Sequence, residues 1–267
     1  MIRARFPADC LLLTAYCLLV TACAPKALVL PTGASTPFPE FAAAYQQATA
    51  ACSGVKTLSA SMGMSGKAGR TKLRGRIDAG FAAPARARLE GRHPVFGKPV
   101  FVLVADGDRG TLVLPREDRV LRDALPAEIV EALAGVPLGA DALRTAISGC
   151  GFGVTAPGNG RTFANGWAAG SSGDATTYLR RSGAGWEVAA ATLAGVTVTY
   201  GDYASGRPAT VRIRAGSNAA AADITLRLSD VDINTTLDPR TFQVELPDRP
   251  IPLTLEELRR AGPLGGS

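Results

Sequence analysis

Two hydrophobic periods divide the chain. In KLRGRIDAGF, Leu73, Gly75, Ile77, Ala79 and Phe81 share one face, while Lys72, Arg74, Arg76 and Asp78 share the other. ARARLEG repeats the alternation, with Arg86, Arg88 and Glu90 outward and Ala87 and Leu89 inward. Period two is the signature of a half-buried β-strand. PVFVLVADGDRGTLVLP adds two more strands, joined at Asp106 to Gly110 by residues that favour a hairpin. Its segment from Val100 to Val104 is apolar on both faces, so alternation does not assign its facing. The period then changes to that of a helix. In PAEIVEALAG, Ile129, Val130 and Leu133 line one face and Gly135 is a natural C-cap; from Asp141, Leu143, Ala146 and Ile147 line a second short helix. After the glycine-rich stretch around Gly149 to Gly153, alternation resumes in TTYLRR, GWEVAAATL, GVTVTYGDY, ATVRIRAG and ADITLRLSDVDI. Upstream, residues 39–52 are alanine-rich, with Phe41, Ala44, Tyr45 and Ala48 at helical spacing.

The pattern predicts one α+β domain: a curved, incomplete antiparallel barrel of roughly nine to eleven strands, with one leading helix and two inserted ones. A sheet that long with one apolar face must curl or be covered. Helices plugging its concave side would leave an apolar cavity. The candidates to face it are Leu73, Ile77, Phe81, Leu89, Leu133, Leu143 and Ile147, each of which could equally be plain core.

Composition agrees with a core of small aliphatic residues: 46% of the 267 residues are hydrophobic and only 6% aromatic. Thirty glycines and eighteen prolines imply many turns and short strands. The N-terminus reads as a targeting segment. Arg3 and Arg5 precede the apolar run from Cys10 to Val20, too short to span a bilayer as a helix. The run ends in Val20-Thr21-Ala22-Cys23, which resembles the lipobox of bacterial lipoproteins. That resemblance implies cleavage before Cys23, lipidation of its sulfur and anchoring by several acyl chains. Ala24, where an aspartate would retain such a lipoprotein in the inner membrane, implies the outer membrane. The expected organisation is a signal peptide over residues 1–22, lipidated Cys23 and a Pro/Gly/Ser-rich tether over 23–38, a domain over 39–250, and a tail over 251–267. The tail is expected to form a short helix around Leu253, Leu255 and Leu258.

Losing Arg3, Arg5 and Asp9 would take the net charge from +6 to +5. The remaining arginines alternate along strands with no basic block, which fits a solvated face rather than a nucleic-acid groove and could favour anionic headgroups. Cys52 and Cys150 would be the cysteines left with free choice of partner. In an oxidising compartment they could form a disulfide; two buried thiols is the other reading.

Catalytic chemistry finds little footing. His93 stands alone, directly before Pro94, and Gly170-Ser171-Ser172-Gly173 lacks the G-x-S-x-G spacing. Gly149, Gly151 and Gly153 do not complete a dinucleotide fingerprint, and Asp230 and Asp232 read as a solvated strand end. The chain is therefore expected not to be an enzyme and to need no cofactor or metal, and a monomer is expected.

The series strand, Pro-apolar-Gly loop, strand, hairpin and strand in ARLEGRHPVFGKPVFVLVADGDRGTLVLPREDRVL, followed by two short helices in EIVEALAGVPLGADALRTAISG, resembles the outer-membrane lipoprotein receptor family LolB and its soluble relative, the periplasmic carrier LolA. VTYGDYASGRPATVRIRAG resembles the family's tyrosine-bearing strand, turn and Pro-led strand, and TFQVELP resembles the strand that closes the carrier's barrel. The resemblance implies an anchored protein on the periplasmic side of the outer membrane. It would take acyl chains of lipoproteins from a periplasmic carrier and release them into the bilayer. It also implies that Val95 and Phe96, an apolar pair in an otherwise surface-type turn, insert into lipid. Without it, the reading of that turn would be an aromatic tucked into the core. The rival from another class is an anchored lipid-binding or scaffold protein that hands nothing on.

Overall fold

The computed structural model describes residues 28–93, 97–153, 156–216 and 221–263. From Pro31 onward the chain forms one unit. In chain order its elements are β1 (Thr36–Pro37), α1 (Phe41–Thr49), β2 (Thr57–Ala68), β3 (Thr71–Ala82), β4 (Arg86–Arg92), β5 (Pro99–Asp106), β6 (Arg109–Leu114) and β7 (Arg119–Ala124). Then follow α2 (Pro126–Ala134), α3 (Ala140–Ser148), β8 (Asn159–Phe163), β9 (Trp167–Ser172), β10 (Ala175–Ser182), β11 (Gly185–Leu193), β12 (Val196–Ala204), β13 (Arg207–Ala215), β14 (Ala222–Ile233), β15 (Ile251–Pro252) and α4 (Leu255–Ala261).

All strands belong to one 15-stranded open sheet, in the order β1-β8-β9-β10-β11-β12-β13-β14-β2-β3-β4-β5-β6-β7-β15. Two meanders, β2–β7 and β8–β14, meet at a seam where β14 pairs antiparallel with β2. Only β15, beside β7, is parallel. The expectation of nine to eleven strands is corrected upward. The strands unaccounted for are β2, whose outward residues from Ser59 to Ser65 are Ser and Gly, the glycine-bearing β8 and β9, and the two-residue β1 and β15. Ser and Gly have poor strand propensity, so these segments look like loops to a period-two reading.

The main core draws inward side chains from ten consecutive strands, β11 through β7, onto α2 and α3. Laid flat at ~4.8 Å per strand, ten strands would be roughly 45 Å wide, whereas two helices of ~10 Å diameter cover less than half of that. One shared core therefore requires the sheet to wrap around the pair. Pro126 starts α2 with its missing N–H at a position that needs none, and Gly135 closes it with φ 71°. α1 does not join α2 and α3. It forms a separate core with Ala168, Leu179 and Val188, where Phe41 lies against Gly160 and Gly170 at spots a Cβ would fill.

Three ties hold the helices to each other and to the sheet. Cys52, just after α1, and Cys150, just after α3, are joined by a disulfide across 98 residues. The Tyr200 hydroxyl on β12 donates to the Ala146 carbonyl (2.9 Å) and accepts from the Gly151 N–H (3.0 Å). Buried Arg144 donates to the Val55 carbonyl and to Asp141 Oδ1 (2.6 Å).

The C-terminal region differs from its sequence reading. Residues of TFQVELP are not a closing strand: Asp238 caps a short 3-10 turn over Pro239–Phe242, and the chain then runs irregularly to β15. Pro239 suits the first position of such a turn, and Pro247 and Pro250 cannot donate to a ladder. This segment lies over the outer face of β4–β6, beside Val102 and Val113. That cover explains why Val100 to Val104 is apolar on both faces. α4 begins with a capping box between Thr254 and Glu257 and buries Leu258 in the main core. Arg259 reaches Glu128 on α2 (3.0 Å), and Arg119 on β7 reaches Glu257 (3.0 Å).

Candidate functional site

Between α2, α3 and the sheet lies a cavity of about 90 Å³. Six adjacent strands, β13, β14, β2, β3, β4 and β5, supply its walls, and every lining side chain is apolar. Of the sequence candidates, Leu73, Ile77, Leu89, Leu133, Leu143 and Ile147 line it. Phe81 does not. It is fully buried in the same core, four residues further along β3 from Ile77.

The remaining walls come from Met62, Met64, Phe101, Leu103, Val130, Val136, Ile213, Ile224 and Leu226, with Ala134. Ile213, Ile224 and Leu226 carried the required alternation, but nothing in the sequence shows that β13 and β14 lie beside β2 and β3. The two methionines sit on the strand that sequence reading missed. Gly91 makes room for the Phe101 ring, which overlies it.

At about 90 Å³ the cavity is far below the ~300–1,000 Å³ of a pocket that encloses a drug-sized ligand. Its walls nevertheless contain the most adaptable apolar side chain, methionine, twice. One side-chain layer beyond the row of Leu73, Ile224 and Ile213, the inward positions Ala68, Thr71 and Ala215 line a groove of about 860 Å³. The groove is edged by Glu131 and Ala132 of α2 with Gly135 at its C-cap, by Arg70, and by Arg259 and Gly262 at the end of α4. An apolar slot thus lies beside a wide, partly polar groove on one side of the sheet.

Beside the cavity, burial pushes the Tyr200 phenol well above its ordinary value, and the same cause raises Tyr203. Neither is placed to act as an acid or base at neutral pH. Among the described residues no group of three His, Cys, Asp or Glu could hold a metal ion. Cys23, Val95 and Phe96 lie outside the described residues. On either side of residues 94–96, the His93 N–H donates to the Lys98 carbonyl and the Gly97 N–H to the His93 carbonyl, 3.0 Å each.

No family model matches the chain, and no curated protein sequence matches it. Among solved structures it is similar to a LolA superfamily protein from Nitrosomonas europaea, with 11% identity and a TM-score of 0.47, covering 76% of this chain and 97% of that one. It is also similar to a DUF1329 family protein from Desulfovibrio piger (11%, TM-score 0.46, 77% and 98%). A third is the Mycobacterium tuberculosis lipoprotein LppX (15%, TM-score 0.33, 75% and 99%).

Proposed function

We propose that the chain binds the acyl chain of a lipid or lipoprotein in the cavity under α2 and α3. On the finer reading, it serves as an anchored receptor that takes acylated lipoproteins from a periplasmic carrier and releases them into the outer membrane. The observation that carries the proposal is a wholly apolar slot, walled by six strands and two helices, with a groove large enough for a ligand beside it. The slot must widen to admit a chain. Outward movement of α2 and α3 would widen it, and each methylene then buried returns about 0.8 kcal/mol. No covalent step is involved: the chain moves from one apolar environment to another. The lipobox-like Val20 to Cys23 and the order of strands and paired helices support the receptor reading.

The test is titration of the full chain carrying Cys23→Ala with a dansyl-labelled fatty acid. Saturable one-to-one binding is expected, weakened at least tenfold in Ile224→Trp, which fills the slot. Absence of saturable binding in a folded sample would move the protein to the scaffold reading. Capture of an acylated lipoprotein from a preloaded carrier, followed by delivery to vesicles, separates receptor from simple lipid binder.

A further inference from the structure

The arginines and lysines that form no block in the sequence form one in the sheet. The seam between the two meanders brings the outer faces of β13, β14, β2 and β3 side by side. In register, Arg214 lies opposite Asp223, Asp223 opposite Lys67 and Lys67 opposite Lys72. The next row runs Arg212, Thr225, Ser65, Arg74, and the third runs Thr210, Arg227, Gly63, Arg76. Across these rows seven cations face one carboxylate, that of Asp223. It is held by Arg212 through two bonds of 2.6 and 2.7 Å, which keep it below its ordinary value. One step past the third row, Asp78 pairs with Arg76 and Arg92. Lys67, Lys72, Arg74, Arg214 and Arg227 form no ion pair among the described residues; at the edge of the third row Asp230 lies 3.7 Å from Arg76 and Asp202 accepts from the Thr210 hydroxyl at 2.6 Å, which leaves the face strongly cationic.

We infer that this basic sheet face docks the protein flat on a bilayer rich in anionic phospholipid. The side chains between the cations are Ser, Thr and Gly, with no aromatic on which a nucleic-acid base could stack. Nor does the register form a groove that would follow a phosphate backbone. It forms a broad outward face of spread charge, which suits headgroups on a surface. The third row continues to Arg92, at the end of β4, which extends the cationic face by one strand. The dock and the acyl cavity use opposite faces of the sheet and are separable.

The experiment measures co-sedimentation of the full chain carrying Cys23→Ala with vesicles of phosphatidylcholine alone and with one-third phosphatidylglycerol. The N-terminal segment, Arg3 and Arg5 included, is the same in every variant, so the change in ratio between variants reports the charge of the sheet face. The ratio is expected to exceed tenfold at low ionic strength and to fall toward one in about 0.5 M salt. Replacing Lys67, Lys72, Arg74 and Arg214 together by Thr, already present on this face, should reduce anionic partitioning at least 100-fold, from roughly fivefold per cation. Binding to neutral vesicles and to the dansyl fatty acid should stay unchanged. If that variant does not fold, Lys72→Thr with Arg214→Thr decides the point with a loss of about 25-fold. Equal binding to both vesicle types, or an undiminished ratio in a folded variant, overturns the inference. So does a wild-type preference for soluble heparin strong enough to strip the protein from anionic vesicles, which would assign the face to an acidic macromolecule.

Discussion

Replacing Cys52 and Cys150 by alanine removes a cross-link that closes 98 residues, a loop containing β2–β7, α2 and α3. In the chain-entropy account a loop of that length restricts the unfolded ensemble by about 4.7 kcal/mol at 25 °C. Little in the folded state offsets the loss, because the surrounding contacts survive: Tyr45 still donates to the Gly153 carbonyl (2.7 Å) and Tyr200 still holds Ala146 and Gly151. Two alanines also leave a small void where the sulfurs packed, which adds to the cost. At roughly 2–4 °C per kcal/mol for a domain of this size, the melting temperature should fall by about 10–19 °C. Urea unfolding of wild type and double variant, each with and without a phosphine reductant, isolates the effect: reductant should lower the wild-type midpoint and leave the variant unmoved. A loss under about 1 kcal/mol, or a wild type indifferent to reductant, would refute the reasoning that this bond fixes α1 and α3 together.

Tyr200 and Tyr203 are neutral in the fold with pKa values raised above 10.0, so the stability they contribute is complete below pH 10 and is lost as pH climbs past it. Thermal melts should show a decline beginning near pH 10, and Tyr200→Phe should soften it while costing about 1–3 kcal/mol at neutral pH, chiefly through the orphaned Gly151 N–H, since the Ala146 carbonyl still accepts from the Gly149 N–H. Asp223 has the opposite sign: hydrogen bonding from Arg212 lowers it from 3.8, so its contribution holds above that value and disappears as pH drops below it. Asp223→Asn should cost less than about 1 kcal/mol at pH 7 and reduce the acid-side slope of stability in urea titrations below pH 3.8. Gly91→Val places methyl groups where the Phe101 ring lies and should destabilise by roughly 1–3 kcal/mol in chemical denaturation, with looser binding of the dansyl probe.

The helices and most strands are legible because each carries its own period: Ile129, Val130 and Leu133 on α2, Leu73 and Ile77 on β3, Val211 and Ile213 on β13. What is hidden follows from long-range pairing. β2 occupies a central position in the sheet, yet its outward Ser59, Ser61, Gly63 and Ser65 resemble a linker; neighbours on both sides, rather than propensity, make it a strand. β8 and β9 need Gly160 and Gly170 because Phe41 occupies the space a side chain would take. The Thr254-x-x-Glu257 spacing was a capping signal available in the sequence, and it marks the start of α4. The cavity candidates on β3, β4, α2 and α3 could be named because the two-period pattern points at one interface. The opposing wall from β13 and β14 could not, since it depends on the seam.

That seam has a kinetic consequence. β2 leaves the ribosome early and β14 late, and their ladder joins residues such as Ser61 and Ser229, 168 positions apart. Until β14 emerges, β2 and the first meander present a bare edge, a template for pairing with a second chain. Closing a ladder across so long a loop makes folding slow by topology alone. The protein therefore passes a prolonged interval in which half of its sheet is complete and sticky, and refolding yields should fall steeply with chain concentration.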